Sequence, residues 1–221
     1  MIHNLGETNS LINEFISEIR DVNIQTDSMR FRKNIERLGQ IFAYEVSKKL
    51  EYQRKEVTTL LGVADMKVLA KQPVLSSILR AGLPFHQGFL DFFDRSDNAF
   101  VSAYRRHHKS GKFDIQIEYV SCPPLQDRTL ILVDPMLATG NSLVLSLRQL
   151  LTYGAPLHIH IVSIIASIHG IEYVKRNLTG TKYTLWTGAI DDELTAQSYI
   201  VPGLGDAGDL AYGSKRIEDI V

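Results

Sequence analysis

A short apolar run, Ile131, Leu132 and Val133, ends at a carboxylate, Asp134. Pro135, Met136, Leu137, Ala138, Thr139, Gly140, Asn141 and Ser142 follow, and an amphipathic run then extends from 143 to 151. This reads as a buried strand, an acid at its carboxyl end, and a loop of small residues entering a helix. In open α/β sheets ligands bind outside the carboxyl ends of strands, and free N–H groups at a helix start suit a phosphate. Small side chains over 138–142 let backbone N–H groups approach an anion, and Thr139 and Ser142 add hydroxyl donors. The acid before the loop does not suit phosphate itself but suits the hydroxyls of an attached sugar. The layout is the one expected for a phosphorylated ribose. Two plainer readings stay open on this segment alone: a helix start capped by Ser142, and a turn or capping role for Asp134.

Two arginines stand at or just beyond the ends of other expected strands: Arg80, in Ile78-Leu79-Arg80-Ala81-Gly82-Leu83, and Arg105, after Tyr104. Guanidinium forks bind diphosphate oxygens bidentately and stay charged. In isolation either arginine is more often a solvated surface charge. Near the end of the chain, Tyr199-Ile200-Val201-Pro202-Gly203-Leu204-Gly205-Asp206-Ala207-Gly208-Asp209 is rich in glycine and acid, and read alone it is a Gly-rich turn. The seven histidines are scattered, and Cys122 has no partner at metal-ligand spacing.

The elements that must position these residues follow from periodicity. Leu11, Ile12, Phe15, Ile16 and Ile19 repeat at helical spacing after Asn9 or Ser10 as cap. Phe31, Ile35, Leu38, Phe42 and Val46 form a longer apolar face after Thr26 or Asp27. Both helices are expected to precede the sheet. Strands are expected at 74–79, 99–104, 130–133, 159–165 and 183–186, with helices opening at Gly82-Leu83-Pro84 and spanning 142–153 and 168–177. This alternation predicts an α/β fold, a mainly parallel sheet flanked by helices. Between 106 and 126, Phe113, Ile115, Ile117 and Tyr119 alternate with polar residues, which predicts an exposed β-hairpin arm.

A chain of 221 residues is long enough for one domain with a full core. Its formal net charge of −1, with no basic stretch beyond Arg105-Arg106-His107-His108-Lys109, speaks against a nucleic-acid surface. A lone cysteine fits a reducing compartment. With no secretory signal pattern and no apolar run near the length of a membrane span, no membrane partner is expected, and a cytoplasmic protein is the default.

The segment around Asp134 resembles the diphosphoribosyl-binding motif of type I phosphoribosyltransferases, and its Asp-Pro-Met-Leu-Ala-Thr-Gly wording resembles the uracil phosphoribosyltransferase branch. The 199–209 segment resembles that branch's uracil-binding segment, and the Arg80 and Arg105 blocks agree in order and spacing. The resemblance runs from about residue 30 to the end. Residues 1–27 form a divergent helical extension to a single phosphoribosyltransferase domain spanning 1–221. The resemblance implies transfer of a phosphoribosyl group from 5-phospho-α-D-ribose 1-diphosphate to uracil, giving UMP and diphosphate in pyrimidine salvage. It implies that residues 134–142 hold the phosphoribosyl part, with Arg80, Arg105 and Asp206 also on that substrate. Ile200, Gly205, Asp206 and Ala207 would hold uracil, and Asp206 and Arg105 would act catalytically. Mg²⁺ would be held mainly by substrate and water rather than by a protein cage. Some members of the branch respond to GTP, though no separate nucleotide motif localises such a site here. A homodimer or higher homo-oligomer is expected, with the arm near 113–119 and the N-terminal helices at the contact. Two departures stand out: Asn141 replaces a glycine common in the loop, and His169 stands where an acid is frequent, with a helix-start role as its plain reading. The competing classes are a regulator of the same fold that binds nucleotide and RNA, and a catalytically silent nucleotide sensor. The neutral composition disfavours the first, and intact Arg80, Asp134 and Asp206 disfavour the second.

Overall fold

The computed structural model describes residues 1–107 and 113–214, without the side chains of 104–107 and 113–115. Strand β1 (Ile2–Asn4) is followed by helices α1 (Leu11–Arg20) and α2 (Ser28–Ser47). Ser10 caps α1 in a reciprocal box with Asn13, and Asp27 caps α2 by accepting from the N–H groups of Met29 and Arg30. Next come β2 (Tyr52–Thr58), β3 (Val63–Leu69), β4 (Val74–Leu79), α3 (Gly82–Leu90), β5 (Asp97–His107), β6 (Phe113–Ser121), β7 (Thr129–Val133) and the two-residue β8 (Met136–Leu137). The chain continues through α4 (Asn141–Leu150), β9 (His158–Ser167), α5 (Ile168–Asn177), β10 (Tyr183–Asp191), β11 (Glu193–Leu194), β12 (Ile200–Val201) and α6 (Ala207–Tyr212).

The main sheet has the order β1-β10-β9-β7-β4-β5-β6, with β8 added beside β9. All pairings are parallel except β5 with β6. Successive residues of a strand face opposite layers. On β7, Ile131 and Val133 enter the layer built with α1, α2 and α3, while Leu130 and Leu132 enter the layer built with α4 and α5. Burial on both faces is why β7 is apolar throughout after Thr129, and why His160, Ser163 and Ser167 of β9 are buried along with its apolar residues.

The order reverses between β4 and β7: β5 follows β4 toward one edge, while β7, β9 and β10 follow toward the other. Such a switch point leaves a crevice outside the carboxyl ends of the two diverging strands. Arg80 follows β4 there, and Asp134 follows β7.

Two expectations need correction. Helices are not all that precedes the main strands, because β1 pairs with β10 through Ile2 opposite Leu185. The hairpin expected near 113–119 exists as β5–β6, but it forms the edge of the main sheet, where Ile117 and Val120 pack against the core and Tyr119 is exposed. Residues 108–112 and the side chains of Phe113 and Ile115 lie outside the described residues. The ribbon that stands free is β2–β3, a separate two-stranded sheet whose residues are mostly exposed, with Leu60 and Leu61 fully open at its tip.

Candidate active site

The loop after β7 is fixed to β9 at every step. The Asp134 N–H donates to the Val162 carbonyl at 3.0 Å, extending the ladder one residue past β7. The Pro135 carbonyl accepts from Ile164 at 3.0 Å and Ile165 at 3.1 Å, and Met136 and Leu137 then run alongside Ile165 and Ala166. The Ala138 carbonyl accepts the Ser167 hydroxyl at 2.6 Å, and the same hydroxyl oxygen accepts the Gly170 N–H at 2.8 Å. Ser167 thereby caps α5 and pins the loop with one buried oxygen. The sequence reading passed over this residue; its signal was a serine directly before a helical run.

Helix α4 begins at Asn141, and its cap position is Gly140, with φ +81° and no side-chain cap hydrogen bond. The plainer reading of Ser142 as the cap therefore does not hold, since Ser142 lies inside the first turn. Asn141 needs no tolerance of a left-handed backbone, because Gly140 carries that conformation. A side chain at Gly140 would in addition press on the Gly170 carbonyl at 3.0 Å. The Thr139 hydroxyl is placed 3.4 Å from the Asn141 N–H. First-turn amides without a side-chain cap, behind a loop of small residues, form an anion cradle.

Asp134 is half-buried at the head of this loop. Burial pushes its carboxyl up to about 7, against the opposing hydrogen bond from the Met136 N–H. A carboxylate so placed gains when a ligand brings hydroxyl donors or positive charge to it.

Arg80 and the 199–209 segment meet across the crevice. The Arg80 Nη2 lies 2.9 Å from Asp209 Oδ1, and its fork also faces the Gly213 carbonyl at 3.4 Å. Asp206 caps α6, its Oδ1 accepting from Gly208 at 2.8 Å and Asp209 at 3.0 Å. Ile200 and Ala207 are buried, and Gly205 takes φ +93° between them. The Leu79–Arg80 and Val201–Pro202 peptides are both cis. The structure thus gathers Asp134, the 138–142 loop, Arg80 and the 200–207 segment at the carboxyl edge of the sheet. The Arg105 backbone lies in β5, opposite Ile115, and its side chain lies outside the described residues. His169 is exposed as the second residue of α5, and Ser167 holds the capping role instead.

The sequence reading also missed a second group. Arg20, from the end of α1, binds Asp191 bidentately at 2.8 Å and 2.8 Å and donates to the Gly203 carbonyl at 2.9 Å. Asp191 also accepts the Gly203 N–H at 2.9 Å. A carboxylate at the end of a buried strand was the available signal. Among the described residues, no three His, Cys, Asp or Glu side chains cluster closely enough to hold a metal ion, and no helix is long and apolar enough to cross a membrane.

A reversed parallel sheet with an acid, an uncapped helix start and a Gly-rich acidic segment at its switch point defines a phosphoribosyltransferase of type I. The family model described as "Uracil phosphoribosyltransferase" matches residues 7–214, and the chain belongs to that family. The chain is 55% identical to the uracil phosphoribosyltransferase of Porphyromonas gingivalis, covering 97% of this chain and 99% of that one. It is 35% identical to the enzyme of the same name from Thermococcus gammatolerans, over 94% of this chain and 92% of the other. Among solved structures, the AQ2163 protein of Aquifex aeolicus superposes with a TM-score of 0.84 at 30% identity, covering 96% of this chain and 98% of its own. The match begins at residue 7, so most of the segment that reads as a divergent extension falls within the family's span.

Proposed function

We propose that the protein transfers the phosphoribosyl group of 5-phospho-α-D-ribose 1-diphosphate to uracil, yielding UMP and diphosphate in pyrimidine salvage. The family and its named members support this reading. The observation that carries it in the structure is the Arg80–Asp209 ion pair, which joins the phosphoribosyl half of the crevice to the base half.

The α4 amides and the 138–142 loop would receive the 5′-phosphate, and Asp134 the ribose hydroxyls. Arg80 and Arg105 would meet the diphosphate. In the reaction the bond from C1′ to the diphosphate oxygen breaks and a bond from C1′ to a uracil nitrogen forms. Positive charge grows on the ribose ring between those events, beside Asp134. No protein nucleophile is required, and catalysis rests on charge placement and exclusion of water. Asp206 is the carboxylate set closest in sequence to the base-reading backbone. That backbone, at Ile200 and 205–207, would pair with uracil's N–H and two carbonyls. Cytosine replaces a carbonyl with an amino group and would leave buried partners unsatisfied, at about 1–3 kcal/mol each.

Mg²⁺ fits as a cofactor carried by the substrate. The acids near the diphosphate are hard oxygen donors, but Asp209 pairs with Arg80 and Asp206 with helix amides, so substrate and water would supply most ligands. Bound there, the ion would neutralise the departing diphosphate.

A cytoplasmic location is supported by the unpaired Cys122, whose thiol burial pushes up to about 11, away from reactivity. A homodimer is supported by the β2–β3 ribbon rather than by the 113–119 arm. A lone hairpin is at best marginally stable in water, and this one exposes Leu60, Leu61, Val63 and Met66. A second copy of the chain is the occupant proposed for it.

The test is direct. Purified protein with uracil, phosphoribosyl diphosphate and Mg²⁺ should release UMP, while cytosine and hypoxanthine should not substitute. The same assay with GTP added reads any effector response. Absence of UMP, or equal use of all three bases, would overturn the reading.

A further inference from the structure

We propose that Arg20 and Asp191, with Gln25, are positioning residues for base recognition. They hold the Gly203–Leu204 backbone from outside the base segment and thereby fix where its neighbours present their donors and acceptors. The proposal rests on the assignment of 200–207 to the base.

The geometry is a closed ring around one residue. The Gly203 N–H is taken by Asp191 Oδ2 at 2.9 Å and its carbonyl by Arg20 Nη1 at 2.9 Å. The two side chains are themselves joined at 2.8 Å through both carboxylate oxygens. Gly203 sits at φ +52°, and a Cβ there would fall 2.1 Å from the Ile200 carbonyl oxygen, so the turn it makes is sharp and specific to glycine. The next carbonyl is held as well: the Gln25 amide, turned so that its nitrogen faces them, donates to Leu204 at 2.8 Å and to Ile19 at 3.3 Å. Consecutive peptide groups between Ile200 and Gly205 are therefore set by side chains from α1, the α1–α2 turn and the end of β10.

The pair is placed for geometry rather than for surface charge. Asp191 is 7% exposed and Arg20 22%. Arg20 is carried to this position because Ile12, Ile16 and Ile19 bury the apolar face of α1 in the core layer that includes Trp186 of β10. A guanidinium in a bidentate carboxylate pair retains a donor direction for a third partner, which an ammonium cannot reproduce in the same fixed plane. Main-chain recognition depends on this precision, because hydrogen bonds weaken steeply when angle or distance slips. The phosphate loop, by contrast, is pinned through the Ser167 hydroxyl; Asp191 lies opposite Ser167 in the β9–β10 ladder, but its carboxylate is directed to Arg20 and Gly203 instead.

The experiment compares Arg20→Lys, Arg20→Ala, Asp191→Asn and Gln25→Ala with wild type by steady-state kinetics in both substrates and by thermal unfolding. Losing a charged hydrogen bond at the ring should raise the uracil KM about tenfold in Asp191→Asn. The phosphoribosyl diphosphate KM should stay within about twofold, and the preference for uracil over cytosine should narrow. Arg20→Lys should fall between wild type and Arg20→Ala. Variants that lose thermal stability while both KM values hold would overturn the proposal, as would a parallel rise in both. If Asp191→Asn yields no soluble protein, Gln25→Ala carries the same test, because it releases only the Leu204 and Ile19 carbonyls. A wild type that makes no UMP overturns the functional reading itself; an active wild type whose variants keep the uracil KM overturns only the positioning role.

Discussion

Replacing Ser167 with alanine should damage the phosphate loop and the start of α5 in one step. The Ser167 hydroxyl is buried, donates to Ala138 at 2.6 Å and accepts from Gly170 at 2.8 Å. Loss of an N-cap costs about 0.5–2 kcal/mol, and a buried carbonyl left without its donor costs about 1–3 kcal/mol. The two losses share one atom, so about 2–4 kcal/mol is the expected total. In a chain of this size that lowers the unfolding midpoint by roughly 5–15 °C. The kinetic consequence is separate. Ala138 opens the loop that leads to α4, so its release should raise the phosphoribosyl diphosphate KM by about five- to tenfold while the uracil KM holds. Ser167→Gly divides the two effects, because glycine at a cap costs only a few tenths of a kcal/mol yet removes the pin on Ala138 completely. Differential scanning fluorimetry and initial rates at varied phosphoribosyl diphosphate read both quantities. An unchanged KM in both variants, whatever the midpoint, would refute the claim that this hydroxyl positions the loop.

Four further outcomes are expected. Asp134→Asn should nearly abolish UMP formation yet raise the unfolding midpoint of the unliganded protein at pH 8. The folded carboxyl sits near 7, above its unfolded value, so its stabilisation is full at low pH and lost as pH rises through 7, and the two proteins should converge near pH 4. His160 behaves oppositely: burial pushes it to about 3 while its Nδ1 accepts the Trp186 indole N–H at 3.1 Å. Stability tied to neutral His160 is present above pH 6.5 and lost as pH falls from there toward 3, so His160→Leu should show a shallower acid decline in thermal melts. Leu60→Asp with Leu61→Asp should shift the protein toward monomer in sedimentation velocity with little change in midpoint, since both side chains are fully exposed in the single chain; an unaltered dimer would remove the ribbon from the contact. Arg105→Ala should lower turnover by about tenfold to a hundredfold, the value of one charged hydrogen bond, with unfolding unchanged; full activity would return Arg105 to the surface.

Burial decides which elements the sequence reveals. Strands β4 and β7 are buried on both faces and bounded by Gly, Pro or Asp, so their limits at 74–79 and near 130–133 could be read from apolar runs. Helix α5 was legible to the residue because an amphipathic face begins directly after a buried strand, although its capping serine went unread. The β2–β3 ribbon gave no such signal. Arg54, Lys55, Glu56, Asp65 and Lys67 stand in strands whose faces are mostly open in the single chain, with Leu69 at the base of β3 reaching the core, and alternation of apolar and polar residues arises only where one face is covered. Strand β1 escaped for another reason. Three residues carry no period, and only their pairing with β10, far along the chain, makes them a strand.

The site divides along a similar line. In the proposed site phosphate and base would be met largely by main-chain groups, and main-chain recognition constrains residue type where the backbone must bend or come close. Gly140 and Gly203 are glycines for that reason, and such positions are visible as short motifs in one stretch of sequence. The groups that hold those stretches in place are different in kind. Ser167 reaches Ala138 across 29 residues, and Arg20 reaches Asp191 across 171. Neither partner constrains the sequence around the other, so no local pattern exists to be read. A site of this design shows its contact surface in its motifs and keeps its bracing in the tertiary fold. The bracing is where substitutions remote from the substrates should separate affinity for the ribosyl donor from affinity for the base.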